Sequence, residues 1–155
     1  MTDVQVIGLR GRASFEDIVK HFAALGGDVV LLDPKMVCGA DQIRSAVLHA
    51  DRAFADGSNR SKTLLTEIIL YAAGERQIAK ALKMMRPQPE ADAMVAAVLN
   101  IRGDLGLAQL GLTRDDTLCA PSAEKARNLG VILFQGTDPA DATLEHIAAV
   151  DLMKQ

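Results

Sequence analysis

"LLTEIILYAAGERQIAKALKMM", from Leu64 to Met85, carries apolar residues at helical spacing on both sides of Gly74-Glu75-Arg76-Gln77. An uninterrupted helix of ~3.6 residues per turn would set Glu75 in the centre of the stripe made by Leu64, Ile68, Tyr71, Ile78, Leu82 and Met85. Burying a carboxylate there, with no evident partner, is expensive. The pattern is better explained by a break at Gly74, or by a helix packed in an unusual way. Gly74 suits the left-handed residue just past a helix end. The second helix then opens within Glu75–Ile78, where a carboxylate favours the positive end of the dipole. Its first N–H groups lack intrahelical partners, which makes this start, with Arg76 and Gln77 beside it, a candidate anion site.

Outward from this stretch, helices and strands interleave. "VQVIGL" (4–9) predicts a strand. "SFEDIVKHFAALGG" (14–27) predicts a helix with Ser14 as N-cap, acidic residues in its first turn, and Phe15, Ile18, Val19, Phe22 and Leu25 on its apolar face. "DVVLLD" (28–33) is a short apolar run that suits a strand covered on both faces. A helix from about Asp41 to Phe54 shows Ile43, Ala46, Val47, Ala50, Ala53 and Phe54 at helical spacing, and turn-rich "ADGSNRS" (55–61) follows it. After the Pro-marked loop "RPQPE", "ADAMVAAVLN" (91–100) predicts a third strand and "DDTLCA" (115–120) a fourth. "SAEKARNLG" predicts a short helix, and Asp138-Pro139 opens a terminal helix with Leu144, Ile147, Ala148 and Leu152 inward. "GDLGLAQLGL" and "VILF" fit no single element. The expected fold is α/β: one domain over residues 1–155, with a mixed central β-sheet flanked by helices in two or three layers.

The 155 residues are 49% hydrophobic but only 3% aromatic, so the core must be aliphatic. A chain of this length buries ~70% of its unfolded surface and needs no metal or disulfide staple. Cys38 and Cys119 form no C-x-x-C pair and read as reduced, buried thiols of a cytoplasmic protein. "MTDVQVIGLRGR" does not follow the signal-peptide pattern, and no apolar run reaches the ~20 residues of a membrane span, so no membrane partner is expected. The net charge is −3, yet Ser58–Arg86 holds six cations against two carboxylates, a local +4 that leaves −7 for the rest. That segregation can direct a polyanion to one face, although an ordinary pair of solvated helices carries the same charges.

Catalytic constellations are missing. His21, His49 and His146 sit in separate predicted helices with no H-x-x-x-H or ligand cluster, so no metal is assigned and each reads as a surface or core-edge residue. No G-x-S-x-G elbow, Walker A lysine or complete G-x-G-x-x-G appears. "GLRG" (8–11) and "GDLG" (103–106) read as turn glycines, and Asp104 would repel a phosphate backbone from the latter. No catalytic residue and no cofactor are assigned.

Wording adds what spacing leaves open. Leu65, Glu67, Ile68, Leu70, Tyr71, Gly74, Arg76, Gln77, Ile78 and Ala81 resemble the signature of the small KEOPS subunit family that includes human TPRKB: a helix ending in Tyr-x-x-Gly, then x-Arg-Gln-Ile and a second apolar helix. Ser58 or Ser61 upstream also suits that family, and "TLEHIAAVDLMK" (143–154) resembles its usual ending. The resemblance implies a non-enzymatic accessory protein, archaeal in type. Its partners would be the small atypical kinase of KEOPS, through it the other subunits, and the CCA end of tRNA. The shared task would be threonylcarbamoylation of the adenosine beside the anticodon.

Carried over, the resemblance makes Gly74, Arg76, Gln77 and Ile78, with Lys80 and Lys83, the tRNA-binding residues. Arg76 would meet phosphate, Gln77 a base or sugar edge, and Ile78 would support a terminal base. The scarcity of aromatics departs from the stacking platform of single-strand binders, and Tyr71 reads as core. Two other readings fit the same residues: a small α/β enzyme holding a phosphorylated metabolite at the helix start, and a structural adaptor without RNA contact.

Overall fold

A computed structural model describes residues 1–153. Its sheet has four strands, β1 (Val4–Arg10), β2 (Asp28–Leu32), β3 (Ala93–Leu99) and β4 (Thr113–Arg114), in the order β2-β3-β1-β4. Helix α1 (Phe15–Ala24) connects β1 to β2 on one face. The remaining helices are α2 (Ala40–Asp56), α3 (Leu64–Ala73), α4 (Ile78–Met85), α5 (Ala123–Asn128), α6 (Pro139–Ala148) and α7 (Val150–Met153). They pack on the opposite face, which makes three layers.

The α/β architecture with flanking helices is as the sequence predicts, but every pairing in the sheet is antiparallel rather than mixed. The cause is topological. β1 and β2 run parallel to each other without touching, because the α1 connection leaves a strand-wide gap between them. β3 fills that gap antiparallel to both, with Leu99 opposite Val4 on one side and opposite Asp28 on the other.

Strand alternation divides the core in two. Ile7, Leu9, Met94, Ala96 and Val98 face α1, where they meet Ile18 and Phe22. Val6, Val95, Ala97 and Leu99 face the larger helical layer and meet Ile43, Ile68, Leu70 and Tyr71. Burial of each large side chain contributes about 1.5–3 kcal/mol. The α1 face is narrower than its periodicity suggests: Val19 is 50% exposed and Leu25 42%. Val19 instead lines, with Phe15, Leu31, Leu82 and Met85, an apolar cleft of about 210 Å³ beside β2.

Three other expectations change. "DDTLCA" is a 3-10 turn (Asp116–Cys119) and not a strand, because the Asp115 carboxylate accepts from Thr117 N at 3.1 Å and closes a local turn. The fourth strand is the two-residue β4 just before it, paired with Leu9 and Arg10. Gly8 is not a turn glycine: it lies within β1, where the crossing backbone leaves no room for a side chain, since a Cβ would stand 1.9 Å from Asp115 O. The terminal helix breaks at Ala149 into α6 and α7. Ala142, Thr143, Ile147 and Val150 point inward, Leu144 is half-buried, and Ala148 and Leu152 are exposed. Lys154, the end of the "TLEHIAAVDLMK" reading, lies outside the described residues. No described helix is long and apolar enough to cross a membrane.

Candidate functional site

The Leu64–Met85 stretch folds as two helices. Thr63 caps α3, its hydroxyl accepting from Thr66 N at 3.2 Å. One turn on, Glu67 is fully buried. Its carboxylate accepts from Arg60 N at 3.1 Å and Ser61 N at 3.0 Å, with Ser61 Oγ at 2.9 Å, and so folds the preceding turn back onto the helix. Of the two serines that suited the motif, Ser61 is the one that meets Glu67.

Tyr71 is core, as expected, at 0% exposure. Its hydroxyl donates to Asp151 of α7, and its ring stacks on His49 of α2 at 5.3 Å between centroids. Asp151 also accepts from His49 Nδ1 at 3.0 Å, so α2, α3 and α7 meet at one carboxylate. Burial, then the Asp151 hydrogen bond, pushes the Tyr71 hydroxyl well above its ordinary pKa. The buried Gln42 closes the same region by donating to Ala72 O at 2.9 Å, which satisfies one of the end carbonyls of α3.

Gly74 then ends α3 at φ 64°, ψ 33°, a left-handed conformation. Glu75 N donates to Leu70 O at 3.2 Å and Gly74 N to Tyr71 O at 2.9 Å, the paired bonds of a Schellman motif. The predicted break is present.

α4 begins at Ile78, the last position of the predicted Glu75–Ile78 start, with Gln77 as an N-cap whose side chain makes no capping bond. The Glu75 carboxylate instead ties down the turn that leads into the helix. Its Oε1 accepts from Arg76 N at 3.0 Å and Gln77 N at 3.3 Å, and its Oε2 lies 3.1 Å from Lys80 Nζ. Burial pushes the Glu75 pKa upward, but the Lys80 ammonium and the Gln77 and Arg76 N–H groups outweigh it and hold the carboxyl below its usual value. The turn leading into the predicted anion site thus already holds a carboxylate of the protein's own.

Around this turn Arg76 and Gln77 are exposed, Ile78 is half-buried, and Lys80 and Lys83 are exposed on α4. Arg76 precedes the helix, so the helical part of the basic stripe is Lys80 and Lys83. Arg60 and Lys62 sit beyond the other end of α3, a ten-residue helix about 15 Å long.

Sequence reading did not find what backs the turn. His146 of α6 is half-buried against Gly74. Burial lowers its pKa below the usual 6.5, against a hydrogen bond to the Leu129 backbone and the charge of Glu75. The other histidines also have partners distant in sequence: His21 Nε2 lies 2.6 Å from Leu105 O, and His49 meets Asp151. Cys38 and Cys119 are free and buried. Among the described residues no group of three or more His, Cys, Asp or Glu side chains is placed to hold a metal ion.

Residues 15–130 match the model of a family described as kinase binding protein CGI-121. The matched span runs from α1 through α5 and contains the whole α3–Gly74–α4 unit. No curated protein matches the chain.

Proposed function

The chain belongs to the CGI-121 family of kinase binding proteins, the TPRKB-like KEOPS subunits, and from that premise we propose that it is a non-catalytic subunit that binds the KEOPS atypical kinase and presents tRNA to it by the CCA end. The observation that carries the RNA half of this reading is the turn at Gly74. A Schellman closure and the Gln42 tie fix the end of α3, and the fixed end projects Arg76 and Gln77 into solvent beside a half-buried Ile78. A cation, a side-chain amide and an apolar surface on consecutive residues suit the phosphate, polar edge and face of an unpaired nucleotide. Lys80 and Lys83 extend the positive surface along α4. The protein would act in the cytoplasm, where its free thiols stay reduced.

The deciding experiment is a gel shift with full-length and CCA-trimmed tRNA, run with and without the kinase. The proposal expects trimming to weaken binding and the kinase to co-migrate. Equal binding of both RNAs would remove the CCA end from the function, and a structural adaptor would shift neither.

A further inference from the structure

The surface assigned above to RNA already carries an anion of the protein's own. Glu75 engages the Lys80 ammonium at 3.1 Å and the N–H groups of Arg76 and Gln77 at 3.0 and 3.3 Å. These are one cation and two backbone N–H donors that an incoming phosphate would use. The pair is lopsided: the Lys80 side chain is 62% exposed, whereas that of Glu75 is 18% exposed. The cation therefore faces solvent while the carboxylate sits beneath it, on the turn that Gly74 and His146 support. A phosphate that reaches Lys80 meets a charge already half neutralised and a second negative charge behind it.

We infer that the Glu75–Lys80 ion pair is an autoinhibitory contact in which Glu75 competes with RNA phosphate, setting how tightly the Gly74–Lys83 surface holds RNA. The inference rests on the tRNA-binding reading and adds a regulator to it. Phosphate either displaces the carboxylate from Lys80 or binds alongside it against repulsion. In both cases the charge of Glu75 weakens RNA binding. Nearby Arg76 keeps full strength, because Glu75 takes its backbone N–H and leaves its guanidinium exposed.

The informative variant is Glu75→Gln, since glutamine retains a carbonyl oxygen for the Arg76 and Gln77 N–H groups, removes the charge and replaces the oxygen facing Lys80 with an amide NH2. It should bind tRNA about two- to fivefold more tightly at low salt, the scale of a partly exposed ion pair. Releasing Lys80 to phosphate should also steepen the dependence of log affinity on log salt by about one unit. Glu124→Gln, at an exposed position of α5, changes net charge equally and should leave affinity unchanged. In a Lys80→Gln background the gain from Glu75→Gln should largely vanish.

Unchanged tRNA affinity in Glu75→Gln, with the parent binding normally, would overturn the inference and leave the RNA reading standing. An equal gain from Glu124→Gln would also overturn it, as an effect of net charge. If neither the parent nor Glu75→Gln shifts tRNA, the RNA reading falls and the inference falls with it.

Discussion

The His146 imidazole lies across Gly74 so closely that a Cβ on the glycine would stand 2.3 Å from both its Cδ2 and Nε2 atoms. Gly74 is therefore required twice, once by its left-handed backbone and once by the ring above it. Gly74→Ala is expected to destabilise the protein by roughly 2–3 kcal/mol, since the left-handed region alone costs an alanine ~1–2 kcal/mol. Adding His146→Ala should recover the steric part and leave the backbone part. Urea titration of both variants checks this, and a stabilised Gly74→Ala would contradict it.

His146 also gives the turn a pH response. Its pKa is lower in the folded protein than in the unfolded chain, so the unfolded chain binds the proton more readily. Its contribution to stability is present above about pH 6.5 and is lost as pH falls through the lowered folded value. The parent should lose more stability than His146→Gln between pH 7 and pH 5. Parallel urea titrations at the two values measure the difference, and identical losses would remove His146 as the cause.

Glu67 is expected to matter more for stability than any exposed charge of the motif. Glu67→Leu would strip the part-buried N–H of Arg60 and the buried N–H of Ser61 of their acceptor, a loss of about 3 kcal/mol. Glu67→Gln, which keeps an acceptor oxygen, should cost less. Thermal unfolding of both variants tests the order, which a purely electrostatic role would not produce.

Arg76→Glu is the complementary change on the surface. Arg76 is exposed, so unfolding should be unaltered while tRNA affinity falls and its dependence on salt flattens. Normal tRNA binding by a folded Arg76→Glu protein would move the site elsewhere.

Local signals made much of this legible from sequence. Ser14, Asp138-Pro139 and Gly74 mark helix ends because capping and left-handed geometry depend on residues one to four positions apart. The break at Gly74 was further marked by Glu75, which no continuous helix could bury. Long-range pairings left no such trace. Tyr71 meets Asp151 eighty residues away, His49 meets the same carboxylate, and His146 reaches Gly74 across the helical layer. β4 was too short for alternation to register, and the Asp115 turn defeated a strand pattern by local hydrogen bonding. Glu75 was placed correctly near a helix start. Its pairing with Lys80 depended on how the turn was built.

The insertion of β3 between β1 and β2 has a consequence for how the chain folds as it is made. β1 and β2 have no strand neighbour in common until residues 93–99 exist, because β3 separates them. During synthesis the first ninety residues can form helices but no native sheet. The central pairings then close loops as long as that from Val4 to Leu99. Such non-local closure slows folding and leaves apolar strand edges open meanwhile. A fragment ending before Ala93 should therefore show helical circular dichroism without cooperative unfolding, whereas the full chain unfolds in one step.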